Sequence, residues 1–288
     1  MVRAKAATYD VINGLTLLIR LIIRRMTGQT AQPPAQPPAR QRVNILGVPM
    51  DCVSMAQAVV LADDIIRAGS QSAIFAINPE KIVAAGANPR LLEAISSAGL
   101  LIPDGIGAVL AARLGGARGV PRVTGADLMP ELCSLAALRG YPIFLFGARP
   151  EVTPKACTTL MAAYPGLRIV GHQNGYLSSA ERETLPARIN ATGARMLFVG
   201  IGSPQQEIWI HENLPKLTTV NICQGVGGTL DVLAGRVKRA PESWRKSYLE
   251  WLYRFLSEPN RIRRFPKLVS FAWRVWKEGV APAQPSSR

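Results

Sequence analysis

From Val43 onward, short apolar runs alternate with longer segments in which apolar residues recur every three or four positions. VNILGV (43–48), SAIFAI (72–77), LLIP (100–103), YPIFLFGA (141–148), LRIVGH (167–172), MLFV (196–199) and TTVNICQGVGG (218–228) read as strands. Between them a helical period fits 54–68, with Ser54 as its cap. Two short helices follow Asn78-Pro79-Glu80, the second opened by Asn88-Pro89. Further helices fill about 106–114, 126–139, the stretch between 148 and 167, and 179–191, and a last short one carries Asp231. Strands alternating with helices predict an α/β domain whose mostly parallel sheet is covered by helices on both faces.

The stretch MLFVGIGSPQQE (196–207) places candidate chemistry on that frame. A buried strand runs into Gly200 and Gly202, which let the backbone turn sharply and approach a ligand. Ser203 as N-cap and Pro204 as first helical residue then open a helix with Gln205, Gln206 and Glu207. Such turns hold nucleotides or phosphates at the carboxyl end of a sheet, although an ordinary tight loop reads the same way. The two amides favour a site that fixes hydroxyls. Asn78, Asp104, Gly147, Gln206 and Gly227 all fall at strand carboxyl ends. Asp104, between Pro103 and Gly105, is either a general base for a hydroxyl or the cap of the next helix. Asp231 has the same ambiguity. Arg122, just before a capping Thr124, is either an anion ligand or a solvated arginine.

Charge divides the chain of 288 residues. The net charge is +15, yet residues 43–235 carry fourteen basic and fourteen acidic side chains. Residues 1–42 contribute +6 and residues 236–288 contribute +9. A neutral body with cationic ends suits nucleic acid, an anionic membrane surface or a phosphate-rich substrate. Residues 9–27 put Ile12, Leu15, Ile19, Ile22 and Met26 on one helical face, with Arg20, Arg24 and Arg25 on or near the other. That run is too short to span a bilayer. It reads as an amphipathic helix on the cytoplasmic leaflet, or as one packed on the body or a second subunit. The proline-rich stretch 31–42 is a tether. Residues 241–278 mix aromatics with cations. Trp244, Tyr248, Trp251 and Phe255 form one helical stripe, and Arg254, Arg261, Arg263 and Arg264 gather around a Glu258-Pro259 break between two helices. Arginines there can hold diphosphate oxygens without a cation, or form a basic patch for nucleic acid or membrane. The segmentation is therefore 1–42 helix and tether, 43–240 core, 241–278 appendage and 279–288 disordered tail.

Cys52, Cys133, Cys157 and Cys223 form no CxxC pair and read as small core residues in a reducing compartment. No metal site or cofactor stands out: His172 and His211 are isolated, and Asp63-Asp64 reads as a solvated mid-helix pair.

Several motifs occur together in one order: Asn78-Pro79-Glu80-Lys81, Ile102-Pro103-Asp104-Gly105, Arg122 to Leu128, Phe198 to Glu207, Arg239-Ala240-Pro241, Leu249 to Arg254, and Glu258-Pro259 with Arg261. In this the chain resembles the WecG/TagA/CpsF glycosyltransferases over about residues 43–278. The resemblance implies a Rossmann-like core and inverting, metal-independent transfer of a hexose from a UDP-sugar to a polyprenyl-diphosphate-linked sugar. It implies Asp104 as general base, Arg122, Gln206 and Asp231 as polar pocket residues, and Arg254, Arg261 and Arg264 as ligands of the diphosphate. Asn78, Gly200 and Gly202 belong to the expected substrate site. It implies synthesis of exopolysaccharide or another envelope polysaccharide by a peripheral enzyme on the cytoplasmic face of the inner membrane, and leaves a homo-oligomer open. The family usually has Thr where this chain has Ala76, so a hydroxyl near the base is missing or supplied elsewhere. Two rivals are an NAD-dependent oxidoreductase and a basic nucleic-acid-binding module. The first lacks GxGxxG after its first strand, and the second has its aromatics on a stripe suited to packing.

Overall fold

A computed structural model describes residues 41–117, 119–246, 250–257 and 265–285. The expected amphipathic helix at 9–27, most of the tether, and Arg261 and Arg264 lie outside them.

Six strands form one parallel sheet: β3 (Ser72–Ile77), β4 (Leu100–Pro103), β5 (Ile143–Gly147), β6 (Ile169–Gln173), β7 (Met196–Gly200) and β8 (Ile222–Gly225), in the order β4-β3-β8-β7-β5-β6. Their side chains alternate between two cores. Phe75, Leu101, Phe144, Phe146, Leu197 and Val199 face one side, and Ile74, Ile102, Leu145, Met196 and Phe198 the other. Both sets are buried because both faces carry helices, which is why these strands are mostly apolar; Ser72 in β3, Gln224 in β8 and His172 and Gln173 in the less buried edge strand β6 are the polar positions.

On the first face lie α2 (Pro79–Gly86), α3 (Pro89–Ser97), α4 (Ile106–Leu114), α7 (Ser179–Ala191) and α8 (Gln205–Asn213). On the second lie α1 (Met55–Arg67), α5 (Gly125–Arg139), α6 (Val152–Ala163) and α9 (Thr229–Leu233). Ser54 caps α1 in a capping box with Gln57, and Thr124 caps α5. Among the described residues three C-terminal helices follow: α10 (Glu242–Lys246), α11 (Glu250–Ser257) and α12 (Phe265–Glu278). Phe271 and Val275 of α12 join the first core, beside α2. Among the described residues no helix is long and apolar enough to cross a membrane.

Four sequence expectations change. The run 43–48 is a hairpin, β1 (Gln41–Ile45) and β2 (Val48–Asp51), turning at Leu46 and Gly47 with φ of 53° and 86°. Two successive positive φ values make the tight turn that matches strand twist. A leucine there hides it in an apolar run. Residues 281–285, expected as tail, form strand β9 (Ala281–Pro285), antiparallel to β1, in a second sheet ordered β2-β1-β9. Asp63 is buried and accepts from the Arg139 guanidinium at 2.9 Å and the Tyr141 hydroxyl at 2.8 Å, so it is not solvated. Ser203 makes no cap: α8 starts at Gln205 after Pro204, with no side-chain cap. Cys133, Cys157 and Cys223 are buried and Cys52 half-buried, all as free thiols. Burial pushes the Cys52 and Cys157 thiols up to about 11.

Candidate active site

The carboxyl ends of β3, β4, β7 and β8 open into a cleft of about 1650 Å³. Ordinary ligand pockets run to roughly 1,000 Å³, so this one has room for more than one substrate. Asn78, Asp104, Arg122, Gly200, Gly202, Gln206 and Asp231 all line it. Seven of the ten residues singled out from sequence therefore meet at one place. Arg254 lies in α11, where its side chain is outside the described residues.

Asp104 leaves β4 with its backbone N–H donating to the Ile77 carbonyl at 3.0 Å. It does not cap α4: Gly105 occupies that position with φ 75° and no side-chain bond is made. A Cβ on Gly105 would press on Asn78 and Pro79 at 3.2 Å, so the turn that presents Asp104 requires glycine. The Asn78 side chain accepts from the Lys81 N–H at 2.9 Å, making it the cap of α2 at the cleft's edge. Arg122 is held beside the same strand end, because the Val123 N–H donates to the Pro103 carbonyl at 2.9 Å. Its Nη2 donates to Glu250 Oε2 at 2.9 Å and lies 3.9 Å from Asp104 Oδ1. Arg122 is thus no solvated arginine. Arg239 pairs with Asp127 at 2.6 Å and reaches Glu250 at 4.0 Å, so two helices and two loops converge in one ionic network. The carboxylate of Asp231, half-buried on α9, lies 3.8 Å from the Arg236 guanidinium.

The glycines of the β7 loop serve different purposes. Gly202 has φ 87°, which a turn demands. A Cβ on Gly200 would meet the Gly227 carbonyl at 2.9 Å and Leu230 at 3.0 Å, so its close approach is to the β8 loop. Gln206 is buried. Its Oε1 accepts from the Gly227 N–H at 3.0 Å and its Nε2 donates to Glu207 Oε1 at 2.8 Å. Its amide therefore ties two strand-end loops together at the cleft wall. The Lys81 ammonium donates to the same Glu207 oxygen at 2.7 Å, and both side chains are buried. Burial alone raises the Glu207 carboxyl, but Lys81 and the Gln206 amide outweigh it and hold it below the ordinary carboxylate range.

The sequence model of the Glycosyl transferase WecG/TagA/CpsF family matches residues 43–285. The chain belongs to that family. The match spans most of the chain and ends where β9 ends. It makes the protein a glycosyltransferase of cell-envelope polysaccharide synthesis and sets aside the oxidoreductase and nucleic-acid alternatives. Sequence reasoning placed most of this glycosyltransferase's cleft but missed two ionic centres, Lys81–Glu207 and Arg122–Glu250. A signal was present for the first. Lys81 shares the buried stripe of α2 with Ile82 and Ala85, and Glu207 shares that of α8 with Ile210, so each is a charge on an apolar face.

Proposed function

We propose that the protein transfers a hexose, of the glucose or N-acetylmannosamine type, from a UDP-sugar to a sugar carried on polyprenyl diphosphate, with inversion and without a metal. Asp104 is the general base. Its carboxylate takes the proton of the acceptor hydroxyl as that oxygen bonds to the anomeric carbon. The bond from that carbon to the diphosphate breaks on the opposite face, and UDP leaves with the electron pair. Arg254, Arg261 and Arg264 bear on the diphosphate as its charge develops. The observation that carries this reading is the position of Asp104: at the mouth of β4, lining a cleft large enough for both substrates, with the Arg122 guanidinium 3.9 Å away.

Among the described residues no three His, Cys, Asp or Glu side chains group to hold an ion. Val269, Trp273 and Trp276 are exposed on α12, as are Leu110 and Leu114 on α4. Leu110, Leu114, Val269 and Trp276 also line the cleft. These apolar edges and the cationic ends support a peripheral enzyme at the cytoplasmic face of the membrane, where a lipid-linked acceptor lies.

The test is a donor screen in excess chelator on a polyprenyl-diphosphate-sugar acceptor, with mass analysis of the product. Transfer is expected without added metal. Asp104→Asn is expected to lower turnover by about 10²–10⁴-fold, the usual worth of a positioned base, while UDP affinity holds. Near-normal turnover of that variant would remove Asp104 from its role.

A further inference from the structure

We infer that Gln224, in the middle of the large sheet, is a positioning residue: its buried amide fixes the start of α5 and so sets where Arg122 stands in the cleft. The inference rests on the functional reading above, in which Arg122 belongs to the reacting site, and adds a residue to it.

Gln224 breaks the apolar pattern of its strand. In β8 it lies between Ile74 of β3 and Phe198 of β7, and it is 1% exposed. A leucine or methionine would fill that place without burying an amide. Its Nε2 donates to the Gly125 carbonyl at 3.0 Å, and among the described residues its Oε1 accepts no hydrogen bond. The Gly125 carbonyl does not depend on this donor. Gly125 opens α5, so helix geometry already gives its oxygen the N–H four residues on. The amide therefore adds little net stability, since one bond is gained while one oxygen stays in a dry interior. What it supplies is a fixed point.

That point is three residues from Arg122. The segment from Arg122 to Gly125 is held to three neighbouring strands in turn. The Val123 N–H donates to the Pro103 carbonyl of β4 at 2.9 Å. Gly125 lies so close to β3 that a Cβ on it would stand 3.3 Å from the Ala76 methyl. The Gln224 amide fastens the same residue to β8. Packing on a methyl group lets a helix start slide by a fraction of an ångström, whereas a directional bond resists it. Such a slide reaches the reaction, because Ala76, Arg122, Gly125 and Gly225 all line the cleft. Groups that act on a substrate must be held within about 0.5 Å of their productive place, and a misplacement of about 1 Å costs up to about 10²-fold in rate. Gln224 meets that demand for Arg122 without lining the cleft itself.

A double-mutant cycle tests this on the full chain: wild type, Gln224→Met, Arg122→Gln and the double variant, with UDP-glucose or UDP-N-acetylmannosamine as donor. Methionine keeps the length of the side chain and removes the amide. Turnover, KM for the donor, UDP affinity by calorimetry and the melting temperature are read for each. Gln224→Met is expected to lower kcat by about 10-fold while KM and UDP affinity stay within about twofold and the melting temperature holds or rises. In the Arg122→Gln background the same change is expected to alter kcat by less than about twofold. If the double variant loses the product of the two single losses, Gln224 does not act through Arg122 and the inference falls. Unchanged kcat in Gln224→Met overturns it too, as does a fall in melting temperature and UDP affinity that tracks the loss of kcat. Should Gln224→Met not fold, Gly125→Ala carries the same cycle, because its methyl group presses on Ala76 and shifts the helix start from the other side; the same loss and the same non-additivity are expected. A wild type that neither binds UDP nor transfers sugar overturns the functional reading, and this inference with it. An active wild type with multiplicative losses overturns the role of Gln224 alone.

Discussion

The two walls of the cleft are both held by charge, and they are held differently. On the sheet side, Lys81, Glu207, Gln206 and Gly227 join the ends of β3, β7 and β8 around a single carboxylate. Lys81 is 7% exposed and Glu207 not at all. On the appendage side, Arg122, Glu250, Arg239 and Asp127 share charges in a chain, and the outermost, Asp127, is 39% exposed. The first wall is a closed pair: remove one member and the other is stranded in a dry interior. The second is a ladder in which each arginine touches two acids. Stability is therefore expected to depend on the first and chemistry on the second. Burial, rather than the number of ion pairs, draws that line.

The strongest way to break this comparison is Glu207→Gln. It leaves the Lys81 ammonium buried without its anion, and breaking a buried pair costs about 3–5 kcal/mol. Urea denaturation is expected to show that loss, and Lys81→Met with Glu207→Gln to recover much of it, since neither partner is then an unpaired charge. The Glu207 carboxyl lies below its ordinary value in the folded state. A depressed carboxyl stabilises above its unfolded value and loses that contribution as pH falls through the folded one. The gap between wild type and Glu207→Gln should therefore be full at neutral pH and shrink only below about pH 4, the unfolded glutamate value. A cost under about 1 kcal/mol at pH 7 would put this wall in the class of surface pairs.

An intermediate case sharpens the gradient. Asp51 is fully buried while its partner Arg42 is 20% exposed. Arg42 donates to both Asp51 oxygens, at 2.7 and 3.0 Å, and the Leu101 N–H donates to Oδ2 at 2.8 Å. This carboxylate fastens the β1–β2 hairpin to β4 at the second residue of the strand that presents Asp104. Asp51→Asn keeps the shape and loses the charge. A charged hydrogen bond is worth about 1.5–3 kcal/mol, so the cost should fall between the two walls, read by the same denaturation. A loss matching that of Glu207→Gln would mean that the exposure of one partner is irrelevant.

How much of this could be read in advance follows from the same physics. Five of the six parallel strands, all but the edge strand β6, were legible because both of their faces are buried, which leaves an apolar run such as MLFV at 196–199. Asp104 and the glycines of 200–202 were legible because a strand end followed by such residues points to a ligand site. The small sheet was not. Its turn carries Leu46 where asparagine or glycine is usual, and its third strand is APAQP, whose prolines resemble a tail and are tolerated because β9 is an edge. The direction of Gln206 was not legible either. Whether an amide faces a sugar or the Gly227 N–H depends on the β8 loop, twenty-one positions away in the chain. Long-range ionic partners such as Arg122 and Glu250 leave no local pattern at all.

The smallest expected effect tests the ladder at its exposed end. Arg239 pairs with Asp127 at 2.6 Å and stands 4.0 Å from Glu250. Arg239→Gln removes a rung and strands nothing. Asp127 keeps the Thr124 hydroxyl at 2.6 Å and open access to water, and Glu250 keeps Arg122 at 2.9 Å. Partly exposed pairs are worth about 0–1 kcal/mol, so the denaturation midpoint should hardly move. What remains should be electrostatic in origin and should vanish toward 1 M salt, where the Debye length is about 3 Å. The Lys81–Glu207 pair, out of reach of ions, should keep its full cost at the same salt. Measuring both variants at low and high salt therefore separates the walls by mechanism as well as by size. If Arg239→Gln proved as costly as Glu207→Gln and equally indifferent to salt, the appendage side would be part of the folded core, and the division between a wall that stabilises and a wall that positions would not hold.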